Sequence, residues 1–154
     1  MKQEKRLLKQ LVKTVDQLHA TSRAFKEIEE AAAREAGGQS MARWQVLNAS
    51  SSGQWTVPDI ARRLGLTRQS VQRLAHVLVE DNLASFAPNP DRRNSPFLQL
   101  TLQGSQTWAS IAHSLERRLV KSSTGVDRKQ LKSARQGLRT MQEAAQGAMA
   151  RPGT

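Results

Sequence analysis

The stretch VPDIARRLGLTRQSVQRLAHVL, residues 57–78, constrains this chain more than any other. Two helices that cross closely need a small residue at the crossing, and Ala61 supplies it. The tight turn between them needs one residue able to take positive φ, and Gly65 supplies that four positions later. Thr56 is placed to cap the first helix, with Asp59 three residues on and Pro58 in the first turn, where its missing N–H costs nothing. Ile60, Ala61 and Leu64 form its inward stripe. Leu66 is expected to plug the turn. Thr67 caps the second helix, whose Val71, Leu74 and Leu78 return it to the first. Arg68, Gln69, Ser70, Gln72, Arg73 and His76 are left on or near its outer side. A plain helical hairpin without a DNA partner would share part of this pattern. The combined spacing of Ala61, Gly65 and Val71 favours a helix-turn-helix. Arg and Gln on the open face can each make paired hydrogen bonds to base edges in a major groove, while Arg62 and Arg63 are better suited to phosphates.

The residues after this motif narrow the fold further. NPDRRNSP, 89–96, sets two arginines between prolines with nothing apolar to bury. LASFAP (83–88) and FLQLTL (97–102) flank it as strand-like runs, so Arg92, Arg93 and Asn94 fall at a hairpin tip. A helix-turn-helix followed directly by a hairpin is a winged helix, and its tip arginines suit the narrow, electronegative minor groove. Asp91 is expected to hold an arginine by an ion pair or to cap the turn. Asn82, after the second helix, suits a left-handed cap.

Residues 2–36 read as one helix without Pro or Gly, with Leu8, Leu11, Val15, Leu18, Ser22 and Phe25 at alternating spacings of three and four. That narrow seam is of the kind that meets another helix. Gly37-Gly38 stops it, Ser40 caps a helix with Met41, Trp44, Val46 and Leu47 inward, and SSSG (50–53) ends that one. Residues 103–123 form a long helix with Trp108, Ile111, Leu115 and Leu119 on one face, broken by SSTG (122–125). A last helix, 127–149, has Leu131, Leu138, Met141 and Ala145 as its weaker apolar side, and the tail RPGT is expected to fray. The domain reading is an N-terminal dimerisation helix (1–36), a winged helix-turn-helix lobe (40–104) and C-terminal dimerisation helices (105–150), in one compact domain. The fold class is mainly α with a small β-hairpin wing.

Together these residues resemble the MarR family of bacterial transcriptional regulators. The wing signature of that family, an Asp, an Arg two later and a Leu-Thr pair followed by Gly, stands here as Asp91, Arg93, Leu100-Thr101 and Gly104. LGLTRQSVQRL resembles its recognition helix. Two departures are Asn82, where Gly is common, and one extra residue between Arg93 and Leu100, with Pro96 inside. The resemblance implies an intertwined homodimer on an inverted repeat of double-stranded DNA, one recognition helix per half-site, with half-sites roughly 34–36 Å apart. The residues carried over as DNA-binding are Thr67, Arg68, Gln69, Ser70, Gln72, Arg73, Arg92, Arg93 and Asn94. The resemblance also implies a cleft for a small aromatic ligand, for which His19, Arg23, Met41, Trp44 and Trp108 are the candidates. Trp44 and Trp108 at helical spacing equally suit a core.

Charge agrees with a polyanionic partner. Lys and Arg number 24 against 13 Asp and Glu, a formal net of +11 over 154 residues. There is no cysteine, which removes disulfides, thiol catalysis and Cys-ligated zinc. His19, His76 and His113 are isolated, with no partnered nucleophile and no familiar ligand spacing. No enzymatic activity and no cofactor are therefore expected, although a zinc site assembled from distant helices stays open. No uninterrupted apolar span of membrane length occurs, so the expected location is cytoplasmic. The expected function is a repressor of an inverted-repeat operator, relieved by a small aromatic ligand. Its rival is a winged helix that coats DNA or docks a partner without reading sequence, kept in view by the basic residues Arg117, Arg118, Lys121, Arg128, Lys129, Lys132, Arg135 and Arg139.

Overall fold

The computed structural model describes residues 2–150, so the tail RPGT lies outside the described residues. Helix α1 (Lys2–Gly37) runs without interruption, as its lack of internal breakers requires. Gly38 stops it in a left-handed conformation at φ 63°. The N–H groups of Gly38 and Gln39 then reach back to the carbonyls of Arg34 and Ala33 at 3.1 and 3.0 Å. Ser40 caps α2 (Met41–Ser51), its hydroxyl accepting from the Arg43 N–H at 3.4 Å. Strand β1 (Trp55–Thr56) leads directly into α3 (Val57–Leu64), and α4 (Arg68–Glu80) comes after it. Next come strands β2 (Ala84–Ala87) and β3 (Phe97–Leu100), then α5 (Leu102–Ser122) and α6 (Arg128–Ala150).

The two compact units of the chain are residues 1–119 and 120–154, of which 2–119 and 120–150 are described. In the first unit, Leu47, Ile60, Leu78, Leu98 and Ile111 are among the largest fully buried side chains, joined by Val46, Val71 and Trp44. These come from α2, α3, α4, β3 and α5, so one apolar centre holds both the helical pair and the sheet. Ala32 and Ala33, fully buried near the end of α1, let that helix pack closely on the centre. In the second unit, α6 starts with a reciprocal cap. The Asp127 carboxylate accepts from the Gln130 N–H at 2.7 Å, and the Gln130 side chain accepts from the Asp127 N–H at 3.0 Å.

The sheet is antiparallel and three-stranded, in the order β1-β3-β2, with Trp55 opposite Leu98 and Ala84 opposite Leu100. The hairpin is where the sequence places it, but β1 is an addition. Two residues carry no periodicity, so that strand cannot be read from a pattern. The turn between α3 and α4 differs in one detail from expectation. Leu66 does not plug it, since its side chain is 38% exposed. The turn is closed by backbone instead: Gly65 sits at φ 65°, ψ 29°, and the Leu66 N–H reaches the Ala61 carbonyl at 2.9 Å. Packing across it comes from Ala61, Val71 and the fully buried Ala75. Asn82 takes φ 56°, as the left-handed cap requires.

Gly104 has a separate reason to be glycine. A Cβ there would stand 1.8 Å from the Leu83 carbonyl oxygen, so α5 starts hard against the backbone entering β2. Thr101 fixes that junction. Its hydroxyl donates to the Asn82 carbonyl at 2.6 Å and accepts from the Gly104 N–H at 2.9 Å. The arrangement of helical pair, hairpin and returning helix is a winged helix-turn-helix.

Candidate nucleic-acid interface

Helix α4 is positioned by its own start. The Thr67 hydroxyl accepts from the Ser70 N–H at 3.1 Å and donates to the Ser70 hydroxyl at 2.8 Å. Thr67 and Ser70, both among the expected contact residues, are thus engaged in capping, and the Thr67 proton is taken. With Val71, Ala75 and Leu78 buried, about 100° per residue turns Gln69, Arg73 and His76 outward, while Arg68 is exposed at the first turn of the helix. Gln72 is half-buried, its side-chain nitrogen 2.9 Å from His76 Nε2. His76 in turn meets the Phe86 ring of β2 edge-on, the centroids 5.6 Å apart.

The wing tip is organised by Asn89, a residue absent from the expected contacts. Asn89 is buried, its side-chain oxygen accepting from the N–H groups of Asp91 and Arg92 at 3.0 and 3.2 Å. Its amide nitrogen donates to the Ser95 carbonyl at 2.9 Å, and the Ser95 N–H closes onto the Arg92 carbonyl at 2.9 Å. Asp91 therefore does neither thing expected of it. Its exposed carboxylate forms no ion pair and caps no turn among the described residues. The signal for Asn89 lies in Asn-Pro at 89–90, a pair that favours side-chain-to-backbone turns. Arg92, Arg93 and Asn94 are all exposed around this pinned loop.

One groove brings helix and wing together. Arg68, Gln72 and His76 of α4 line it with Asn94, Ser95 and Pro96 of the wing, over a floor that includes Val57, Pro58 and Phe86. Of the expected contact residues, Arg68, Gln72 and Asn94 therefore share one concavity. Gln69, Arg73, Arg92 and Arg93 are exposed but do not line it.

The arginines of α3 are already occupied. Arg62 pairs with the Asp59 carboxylate. Arg63 lies 5.3 Å from the centre of the Trp55 ring and donates to the Ser52 hydroxyl at 3.2 Å. Asp59 itself belongs to the α3 cap, accepting from the Thr56 hydroxyl at 2.6 Å and the Thr56 N–H at 3.2 Å. The Thr56 hydroxyl is the largest influence holding this carboxyl below its ordinary range. The Thr56 N–H and the charges of Arg62 and Arg92 act in the same direction, against the opposing effect of burial.

Of the five residues expected to line a ligand cleft, three belong to or pack against the core and two lie on the surface of α1. Trp44 is only 3% exposed and belongs to the core. Trp108 and Met41 are half-buried, and the Trp108 indole N–H donates to the Asn48 side chain at 3.0 Å. His19 and Arg23 are exposed on α1. None of the five lines the groove between helix and wing. Among the described residues, no group of three or more His, Cys, Asp or Glu is placed to hold a metal ion, and no helix is long and apolar enough to cross a membrane.

Likeness to known proteins agrees with this geometry. The model of the MarR family matches residues 39–93, from the start of α2 to the wing arginines. An uncharacterised protein of Mycobacterium tuberculosis is 45% identical over 113 residues, covering 71% of this chain and 76% of its own. The chain belongs to the MarR family. This MarR-family chain also superimposes on the crystal structure of a MarR family transcription regulator with a TM-score of 0.77 at 20% identity, covering 92% of this chain and 95% of that one. Staphylococcus aureus MarR, solved in complex with salicylate and kanamycin, matches at a TM-score of 0.74 and 15% identity, over 88% and 91% of the two chains. At such identities the structures share the fold, that of a family of transcription regulators.

Proposed function

We propose that this chain is a sequence-specific, DNA-binding transcriptional regulator that works as a homodimer and represses an inverted-repeat operator. The observation that carries this reading is the groove in which Arg68, Gln72 and His76 of α4 face the wing residue Asn94. A helix with an outward polar face and a flanking loop with two exposed arginines fit a major groove and its neighbouring backbone. In this reading Arg68, Gln69, Gln72 and Arg73 approach base edges. Arg92, Arg93 and Asn94 lie beside the minor groove, and Thr67 and Ser70 hold the start of α4 in place. The charge of +11 supplies the attraction that brings the duplex in.

Dimerisation is supported by apolar residues that one chain leaves uncovered. Leu8, Leu11 and Phe25 of α1 are 60%, 48% and 47% exposed, and Leu131 and Leu138 of α6 are exposed as well. A second copy would cover them and set two recognition helices about one helical turn of DNA apart. The staphylococcal relative's complex with salicylate supports a small aromatic ligand as the signal that relieves repression. In a dimer His19, Arg23, Met41 and Trp108 are the residues to test for that ligand.

Selection from random duplexes tests the reading. A repressor of this kind enriches a palindrome, and Arg73→Ala relaxes one position of it, at a cost of about 1–3 kcal/mol for a lost base contact. Arg93→Ala weakens operator binding in a gel-shift titration. Enrichment of no sequence at all would instead leave the rival, a winged helix that coats DNA without reading it.

A further inference from the structure

Beyond the winged helix, α6 carries Arg128, Lys132, Arg135 and Arg139 at steps of four, three and four, which places them on one helix face. All four are exposed. Lys132, Arg135 and Arg139 border a single shallow pocket with Gln136. Among the described residues none of the four enters an ion pair. The acids near this face are Glu143 and the capping Asp127, whose carboxylate is occupied by the Gln130 N–H. The apolar residues Leu131 and Leu138 lie about a quarter-turn round the helix from these cations, at ~3.6 residues per turn. A dimer formed through the apolar seam would therefore leave the cations at its rim, still open to solvent.

A row of one sign fits a partner with regularly spaced charge of the other sign. From Arg128 to Arg139 the row extends roughly 16 Å at ~1.5 Å per residue. Duplex DNA presents one negative charge per ~1.7 Å of its axis. The acids of α1 in a second copy match less well, because Glu27, Glu29 and Glu30 form one short cluster flanked on both sides by the cations Arg23, Lys26 and Arg34. We infer that this face of α6 binds the sugar–phosphate backbone of duplex DNA without regard to sequence, as a second contact surface separate from α4 and the wing. It adds affinity and salt sensitivity but no base discrimination.

The test uses the full chain carrying Lys132→Gln, Arg135→Gln and Arg139→Gln together, with a random-sequence duplex. Affinity is read by fluorescence anisotropy between about 50 and 200 mM salt, and the oligomeric state by sedimentation. Each lost phosphate contact lowers the slope of log affinity against log salt by about 0.9, so three lower it by about 2–3. Arg135→Lys with Arg139→Lys keeps the charge and is expected to keep the wild-type slope. An unchanged slope in the triple Gln variant overturns the proposal. So does a variant that dissociates into monomers while its slope is retained, since the row would then be pairing with acids of a second copy. If selection finds no palindrome but the slope still falls, sequence reading fails and this second surface stands.

Discussion

At the scale of single residues, the sharpest constraint in the molecule is steric. Gly104 lies where any side chain would meet the Leu83 carbonyl at 1.8 Å, and a backbone oxygen cannot swing aside as a flexible side chain can. Gly104→Ala is expected to lower unfolding free energy by about 3 kcal/mol, the top of the range for overpacking. Urea denaturation measures this, and a loss below the usual scatter of surface substitutions would mean that the junction between β2 and α5 adapts. The need for glycine after Leu100-Thr101 is visible in the sequence only through family resemblance. Nothing local in TLQG says that another strand's backbone passes there. Asn89 is the opposite case. Its Asn-Pro context is a local signal, yet the adjacent pair of arginines makes Asp91 look like the residue that orders the tip.

At the scale of elements, α3 depends on a cap that is also a titrating group. Asp59 takes a depressed pKa in the folded chain, owed first to the Thr56 hydroxyl and then to the Thr56 N–H, Arg62 and Arg92. A depressed carboxyl contributes stability that is fully present above its unfolded value, about 3.9. That contribution is lost as pH falls from there through the folded value. Asp59→Asn is therefore expected to be less stable than wild type at pH 7 and to lose less on acidification below about pH 4. Parallel stability curves for the two proteins would show that the cap does not depend on charge. This element is legible because Thr-Val-Pro-Asp is a local signal, complete within four residues. Strand β1 is not, since its pairing of Trp55 with Leu98 joins residues far apart in the chain and leaves only two residues to show it.

For the whole molecule, helix order and the wing can be read because periodicity and breakers are local, and the apolar seams can be read because their spacing repeats. What those seams meet cannot, since spacing alone names no partner. Leu11→Glu places a charge in the α1 seam, where wild-type Leu11 is 48% exposed in one chain. It is expected to yield monomers in sedimentation and to lower operator affinity by the whole contribution of the second half-site. A dimeric Leu11→Glu protein with normal operator binding would move the dimer contact away from α1. The groove between α4 and the wing is harder to foresee than its residues. His76 and Phe86 come together only once the hairpin folds back on the helix.

The side chain of Asn89 ties three backbone groups of the wing tip, so the loop from 89 to 95 is shaped before any duplex arrives. Freezing a backbone residue costs about 1–2 kcal/mol of conformational entropy, and here that cost falls on folding rather than on complex formation. In the proposed complex the arginines at the tip need settle only their own rotamers, which would make the wing a ready-made clasp rather than a tether that must be caught.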